Sequence, residues 1–448
     1  MNALFCRSFP RIAVIGLGLA GACLVRALAI QRHSARGQDQ SGTLPNPTSL
    51  QITAFEAVDR PATGASGNPV GIVHPFISKD WNLASQFMQR GVETTLRWIG
   101  ELGGEDLNDP STAWAGITGV LQLAEDDEEA RAWQALAVRL KAGDSPAPHP
   151  ADLEWLSPEQ IRLRLGLSDA PLGGLSSAQG GWIKPSELVR ACLDQAKILL
   201  GEQLAIHFNH PIQPEDLADL QKDFDAVVVC TAHDELLPWA GLRINRIAGQ
   251  VSWISDASLN QMNWPKAVVC RSGYLSPVID NQVLVGATFD RDPSVIDPTS
   301  LQPTAQAHAE NLQRVQEISP ILAEALRPLW QTKTQGRVAI RHASHDRMPH
   351  IGQVISQQAL QAGLPRSASQ LHHLPRENKL YVLGGLGSRG LSIAPLAAEL
   401  LATQIAGAPL GEPNKMNAGE TSCAAPPRPL TDAVDPARFV LRAHRRAG

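Results

Sequence analysis

The stretch "RIAVIGLGLAGACLVRALA", Arg11 to Ala29, decides how the chain is read. Ile12–Ile15 is a short apolar run of strand type. Gly16, Gly18 and Gly21 follow as GxGxxG, and the segment from Leu19 and Ala20 onward reads as a helix. Each glycine has a separate reason. Gly16 allows a tight turn, Gly18 lets backbone approach a pyrophosphate, and Gly21 permits close packing of helix on strand. The start of such a helix presents unpaired N–H groups and the positive end of its dipole to an anion. Alone the motif is a weak signal.

Working outward, "LQITAFEA" supplies a second strand that ends in Glu56, an acidic residue suited to a ribose hydroxyl. Glu56 lies 40 residues after Gly16, where about 20 after the motif is usual. The excess, residues 31–49, is polar and rich in Gly, Pro and Ser, and reads as an inserted surface loop. "GASGNPVGIVHP", Gly64 to Pro75, comes next. Its small residues, among them Ala65, Ser66, Asn68 and Gly71, suit backbone running close to a bulky ligand. A plain nicotinamide site would move on to another helix and strand.

A second strand–turn–helix unit, "YVLGGLGSRGLSIAPLAAELLATQI", spans 381–405, far along the same chain. Its helix is expected to start near Leu391.

The 448 residues suggest two or three domains, or one large domain carrying a second. Charged residues are 19% and the formal net charge is −5, so nothing demands a nucleic-acid partner, although a local basic patch is compatible with that balance. Six cysteines are scattered without a CxxC or zinc spacing, so neither a disulfide framework nor a metal is expected, and a reducing cytoplasm fits. No apolar run reaches the ~18–20 residues of a membrane helix. The N-terminal apolar stretch looks superficially like a signal peptide, but the glycine spacing argues for the nucleotide turn.

Taken together, "GASGNPVGIVHPFISKDWN", "GGWIKPSELVRACL", "AGQVSWI", "GYLSPV", "VGATFDRD", "RVAIRHASHDRMPHIG", "LYVLGGLGSRGLSIAPLAAELLATQIAG" and the tail "DPARFVLRAHRR" carry a resemblance. It covers most of the chain. They resemble the FAD-dependent D-amino-acid oxidase/glycine oxidase (DAO) superfamily and, more narrowly, the oxidoreductase half of the MnmC tRNA-modifying proteins. Those proteins usually carry an N-terminal methyltransferase. With its fingerprint beginning at residue 12, this chain is expected to be a stand-alone oxidoreductase.

The resemblance implies a glycine oxidase-like α/β fold: a Rossmann-like FAD-binding domain with an inserted antiparallel-sheet substrate domain. Residues 1–100, 176–240 and 336–410 are expected to build the discontinuous FAD-binding domain. Residues 101–175 and 241–335 build the substrate domain, and 411–448 a spacer and basic C-terminal tail. "DAVVVCTA" reads as a strand buried on both faces, with Thr231 and Ala232 passing the adenosine side. The last glycine turn, with Gly385, Leu386, Gly387, Ser388, Arg389, Gly390 and Leu391, would serve the flavin. It holds no cysteine, so non-covalent FAD is expected.

Chemistry next to an amine needs mainly position, because the cofactor supplies the electronics. Arg341 ends the apolar run "RVAI", and its guanidinium can clamp a carboxylate through two parallel bonds. In glycine oxidase-like proteins the arginine of "R…PxIG" has this role, matched here with Pro349 and Gly352; a structural ion pair is the other reading. His74 could tune the flavin or touch substrate, or simply be packed. Lys79 could meet a phosphate or the flavin, or be solvated. The tail arginines Arg438, Arg442, Arg445 and Arg446 suit RNA phosphates, or form a solvated end. The expected activity is oxidation of a C–N bond in a carboxymethylamino group, on the wobble uridine of tRNA or on a free small amino acid such as glycine, sarcosine or a D-amino acid. An FAD-containing scaffold or tRNA-binding protein without turnover is the third reading.

Overall fold

The computed structural model describes residues 10–38, 50–78, 80–105, 112–143, 152–170, 172–291, 301–364, 370–407 and 428–447. The chain divides into two compact units. One comprises 1–66, 186–245 and 342–448; the other comprises 67–185 and 246–341.

The first unit is built on a six-stranded sheet in the order His350–Ile355, Arg376–Gly384, Ala226–Val229, Arg11–Ile15, Gln51–Phe55, Leu204–His207. The first pairing is antiparallel and the other four are parallel. Register runs through Ile12, opposite Ala226 on one side and Ile52 on the other. Ala226–Val229 is buried at every position, as a strand covered on both faces must be. Ala13, Ile15, Val227, Val229, Leu380 and Val382 face one cluster with Leu236, Leu237 and Leu242. Helix Leu19–Gln38 and helix Gly390–Ile405 pack along each other. The first helix continues to Gln38, so residues 31–38 extend it where a loop was expected; residues 39–49 lie outside the described residues.

The second unit carries an eight-stranded sheet ordered Gln335–Ser344, Ile244–Ser255, Gln282–Gly286, Tyr274–Leu275, Val268–Cys270, Val120–Leu123, Gly174–Ser177, Glu154–Leu156. Most of its pairings are antiparallel, with one parallel step between Val268–Cys270 and Val120–Leu123. Alternation decides the faces. Val269, Val283 and Val285 join Val315, Ile318, Leu322 and Leu326 of helices Ala305–Ile318 and Pro320–Lys333. Val268, Cys270 and Leu284 face the other way, with Val251, Val70 and Trp182. The acidic stretch after Ala124 starts helix Asp127–Lys141, capped by the Asp126 carboxylate on the Glu129 N–H.

Contacts draw the unit boundary at Ser66, where the sequence suggested about residue 100. Strand Gly71–Val73 pairs with Gly181–Ile183, and Gln89 of helix Leu83–Glu101 donates to Gln179. Both ties are long-range. The tail differs as well. Residues 428–447 form helices Arg428–Val434 and Arg438–Ala447, which belong to the first unit. Arg376 holds Asp435 there through a two-pronged pair, 2.7 Å at its shorter contact. The spacer up to residue 427 lies outside the described residues.

Candidate functional site

In the first unit both glycine turns leave the carboxyl ends of parallel strands, where ligands of open α/β sheets lie. Gly16 has φ +94°, and a Cβ there would approach the Cys230 carbonyl oxygen to 3.0 Å. At Gly21 a Cβ would stand 1.9 Å from the Gly16 oxygen, so only hydrogen fits. At Gly18 the nearest atom is the Ser66 hydroxyl, 3.3 Å away. That hydroxyl accepts from Leu19 N–H at 3.0 Å. The Glu56 carboxylate accepts from Leu17 N–H through Oε2 at 2.8 Å, which braces the turn and leaves Oε1 for another donor. The N–H groups of Ala20 and Gly21 find no partner among the described residues. Helix starts leave such donors, and here they suit a phosphate.

The second turn lies beside the first. A Cβ on Gly390 would be 3.3 Å from Leu19 Cδ2. Gly385 and Gly387 have φ +68° and +59°. The Gly385 oxygen accepts from Ser344 N–H, and Leu386 bridges Ala343. Helix Gly390–Ile405 starts at Gly390, one residue before the expected Leu391, with no side chain capping it. Thr231 and Ala232 run between the turns. A Cβ on Gly16 would be 3.3 Å from Thr231 Cα, and one on Gly384 3.8 Å from Ala232 Cα. Ala232 itself has φ +71°, a strained value of the kind that clusters at binding sites. Ser388 is exposed, whereas burial, reinforced by the Arg347 charge, pushes the Arg389 guanidinium down to about 10. Ala65 and Ser66 open a single 3-10 turn, Ala65–Gly67, at the end of this unit's first segment.

Asn68, Gly71, His74 and Arg341 belong to the second unit. Asn68 accepts from Arg337 Nη1 at 2.7 Å. Gly71 opens its short strand. His74 Nδ1 sits 2.9 Å from the Pro75 oxygen, so Nδ1 carries a proton and donates there. Lys79 lies outside the described residues.

Arg341 lies within strand Gln335–Ser344, which runs on three residues beyond the end expected for it. Its Nη2 donates to the Thr288 carbonyl oxygen, and its guanidinium carbon lies 4.2 Å from the centre of the Phe289 ring. A Cβ at Gly249 would overlap Nη2 at 1.7 Å, so this glycine makes the floor on which the guanidinium rests. Gly249 shares its strand face with Val251, on the side away from the helices. Arg341 Nε is buried without a partner, and no carboxylate pairs with Arg341 among the described residues. Burial lowers its affinity for its proton; nearby Tyr274 opposes that shift and Arg314 adds to it. A half-buried guanidinium with no carboxylate among the described residues has donors suited to an anion. Gly249, Thr288, Phe289 and Tyr274 were not singled out from sequence. "VGATFDRD" contains two of them, but nothing local says that they meet residue 341.

The tail arginines divide. Arg438 is 2% exposed. It donates to both Asp346 oxygens, to His350 Nδ1 and to the Met348 and Asp435 carbonyl oxygens. It is a structural residue with no capacity left for RNA phosphate. Arg442 shares Asp346 at 3.0 Å, and Arg446 is exposed.

No described helix is long and apolar enough to cross a membrane. Residues 11–404 match the model of the family described as DAO, FAD dependent oxidoreductase. Among curated relatives, the bifunctional tRNA 5-methylaminomethyl-2-thiouridine biosynthesis proteins MnmC of Cupriavidus necator and Paraburkholderia phytofirmans are 33% and 35% identical. Each alignment covers 96% of this chain and 60% of the relative, so the chain spans less than two thirds of their length. Among solved structures, glycine oxidase from Bacillus cereus superposes with TM-score 0.62 at 15% identity, covering 89% of this chain and 95% of that one. Iminodiacetate oxidase from Chelativorans sp. BNC1 gives 0.60 at 22%, covering 89% and 96%. The fold is glycine oxidase-like, and the chain belongs to the DAO family of FAD-dependent oxidoreductases.

Proposed function

We propose that the protein oxidises the C–N bond of a carboxymethylamino group, its substrate being the 5-carboxymethylaminomethyl(-2-thio)uridine at the tRNA wobble position. The observation that supports the reading is Arg341, a half-buried side chain with a buried, unpaired Nε and no carboxylate partner among the described residues, in a chain whose curated relatives are named for tRNA thiouridine biosynthesis. FAD, when bound, supplies the acceptor for a hydride from the carbon between the carboxylate and the amine. That carbon loses the hydride and the amine its proton, leaving an imine. Water then cleaves the imine to aminomethyluridine and glyoxylate.

The chain's own residues have separate tasks. The N–H groups of Ala20 and Gly21 and the positive helix end hold the FAD pyrophosphate. Glu56 Oε1 takes a ribose hydroxyl, and Thr231 and Ala232 line the adenosine side. Gly385 to Leu391 carry a second positive helix end, suited to charge that develops on a reduced flavin. FAD is held without a covalent bond, since this turn offers no cysteine. Within the second unit, Asn68 and Gly71 are assigned to the cofactor, His74 to flavin or substrate, and Arg341 to the carboxylate.

Free glycine and N-methylglycine present the same carboxylate, and the glycine oxidase-like fold keeps a free amino-acid oxidase as the second reading. The test is anaerobic mixing of yellow holoprotein with tRNA bearing the modified uridine, and separately with glycine and N-methylglycine. Bleaching by the tRNA, with glyoxylate released, is expected. Bleaching by the free amino acids alone would sink the tRNA reading, and bleaching by none would leave a scaffold.

A further inference from the structure

Phe289 is a large aromatic residue left 53% exposed. Among the described residues it joins none of the buried clusters formed in the second unit. Its position is nonetheless defined. It follows Thr288, whose carbonyl holds Arg341, and the guanidinium carbon lies 4.2 Å from its ring centre. A cation–π contact accounts for that neighbour, but not for the half of the ring that faces water.

We propose that Phe289 is a stacking platform for the pyrimidine base of the substrate nucleoside. The proposal rests on the reading of Arg341 as carboxylate anchor. A carboxymethylaminomethyl arm places four single bonds between the carboxylate carbon and the base, about 5 Å when extended. With the guanidinium carbon 4.2 Å from the ring centre, a carboxylate paired beside Arg341 starts the arm roughly one arm length from the ring. A base whose arm ends on Arg341 therefore comes within reach of Phe289. Unstacked RNA bases are commonly received on aromatic side chains. Glycine has no ring to place there, so the platform favours a nucleoside over a free amino acid.

The test uses holoprotein variants Phe289→Leu and Phe289→Tyr and two probes. One is an RNA anticodon stem-loop carrying the modified uridine, read as apparent Kd. The other is glycolate, a carboxylate without a ring, read by perturbation of the flavin spectrum. Leu should weaken the stem-loop by about 10-fold or more, leave glycolate affinity as in wild type, and be rescued by Tyr. Equal weakening of both probes would mean that Phe289 acts only through Arg341, and unchanged binding of both would remove it from the site; either result overturns the platform. If wild-type flavin is reduced by N-methylglycine and not by the RNA, the nucleoside reading itself fails. That outcome differs from RNA turnover that survives Phe289→Leu intact.

Discussion

A Cβ at position 21 would stand 1.9 Å from a backbone oxygen, and one at position 249 would overlap the Arg341 guanidinium. These two hydrogens do different things. Gly21 lets a helix close onto a strand, and the reason is legible in the GxGxxG spacing. Gly249 makes room for a side chain 92 residues away, and no local pattern announces it. Arg341 itself was readable as a candidate from its residue type and strand. The lack of a carboxylate beside it among the described residues and the Phe289 ring beneath it were not. Replacing Arg341 with Ala removes a charge-assisted pair worth about 1.5–3 kcal/mol. The rate of flavin reduction at low substrate should fall at least ~10-fold. FAD content should stay near wild type, and Lys should rescue partly because it lacks the bidentate fork. Loss of FAD in Arg341→Ala would make the residue a cofactor or fold element instead.

At the scale of elements, the C-terminal helix departs most from its sequence reading. Four arginines within nine residues look like an arm for RNA, yet the first is locked under Asp346 and His350. Burial and then the Arg438 charge push the His350 imidazole down to about 3. Burial opposes the Asp346 charge, but Arg438 outweighs it and holds the carboxyl at about 2. Both folded values lie below the ordinary ones, so both groups stabilise the neutral-pH protein. The His350 contribution is complete above about pH 6.5 and is lost as pH falls towards 3; that of Asp346 is lost from about pH 4 towards 2. Thermal melts should therefore drop between pH 7 and 5, and His350→Asn, which keeps an acceptor for Arg438 but cannot titrate, should flatten that slope. Arg438→Ala removes a 2% exposed guanidinium and leaves the half-buried Asp346 with Arg442 alone, and should cost about 1.5–3 kcal/mol in urea unfolding. A loss of tRNA affinity at unchanged stability would restore the helix to the RNA surface.

For the whole molecule, a dinucleotide held by the first unit should stabilise the native state by linkage, about 2.7 kcal/mol at a hundredfold excess over Kd. FAD added to apoprotein should raise the melting temperature. Riboflavin, which has no pyrophosphate for Ala20 and Gly21, should raise it much less. Equal shifts from both would remove the phosphate turn from the cofactor site. By itself the sequence determined both glycine turns, the buried parallel strand after Asp225, the short strands of the second sheet and the family, because turn chemistry, strand alternation and motif spacing are local. Only the tertiary structure decided which charges are spent and which remain available. Arg438 meets Asp346 across 92 residues and loses its availability. Arg341 meets a carbonyl, a glycine and a phenyl ring, finds no carboxylate among the described residues, and keeps its own. Burial and pairing are set by residues distant in the chain, and two arginines with similar sequence promise end in opposite electrostatic states.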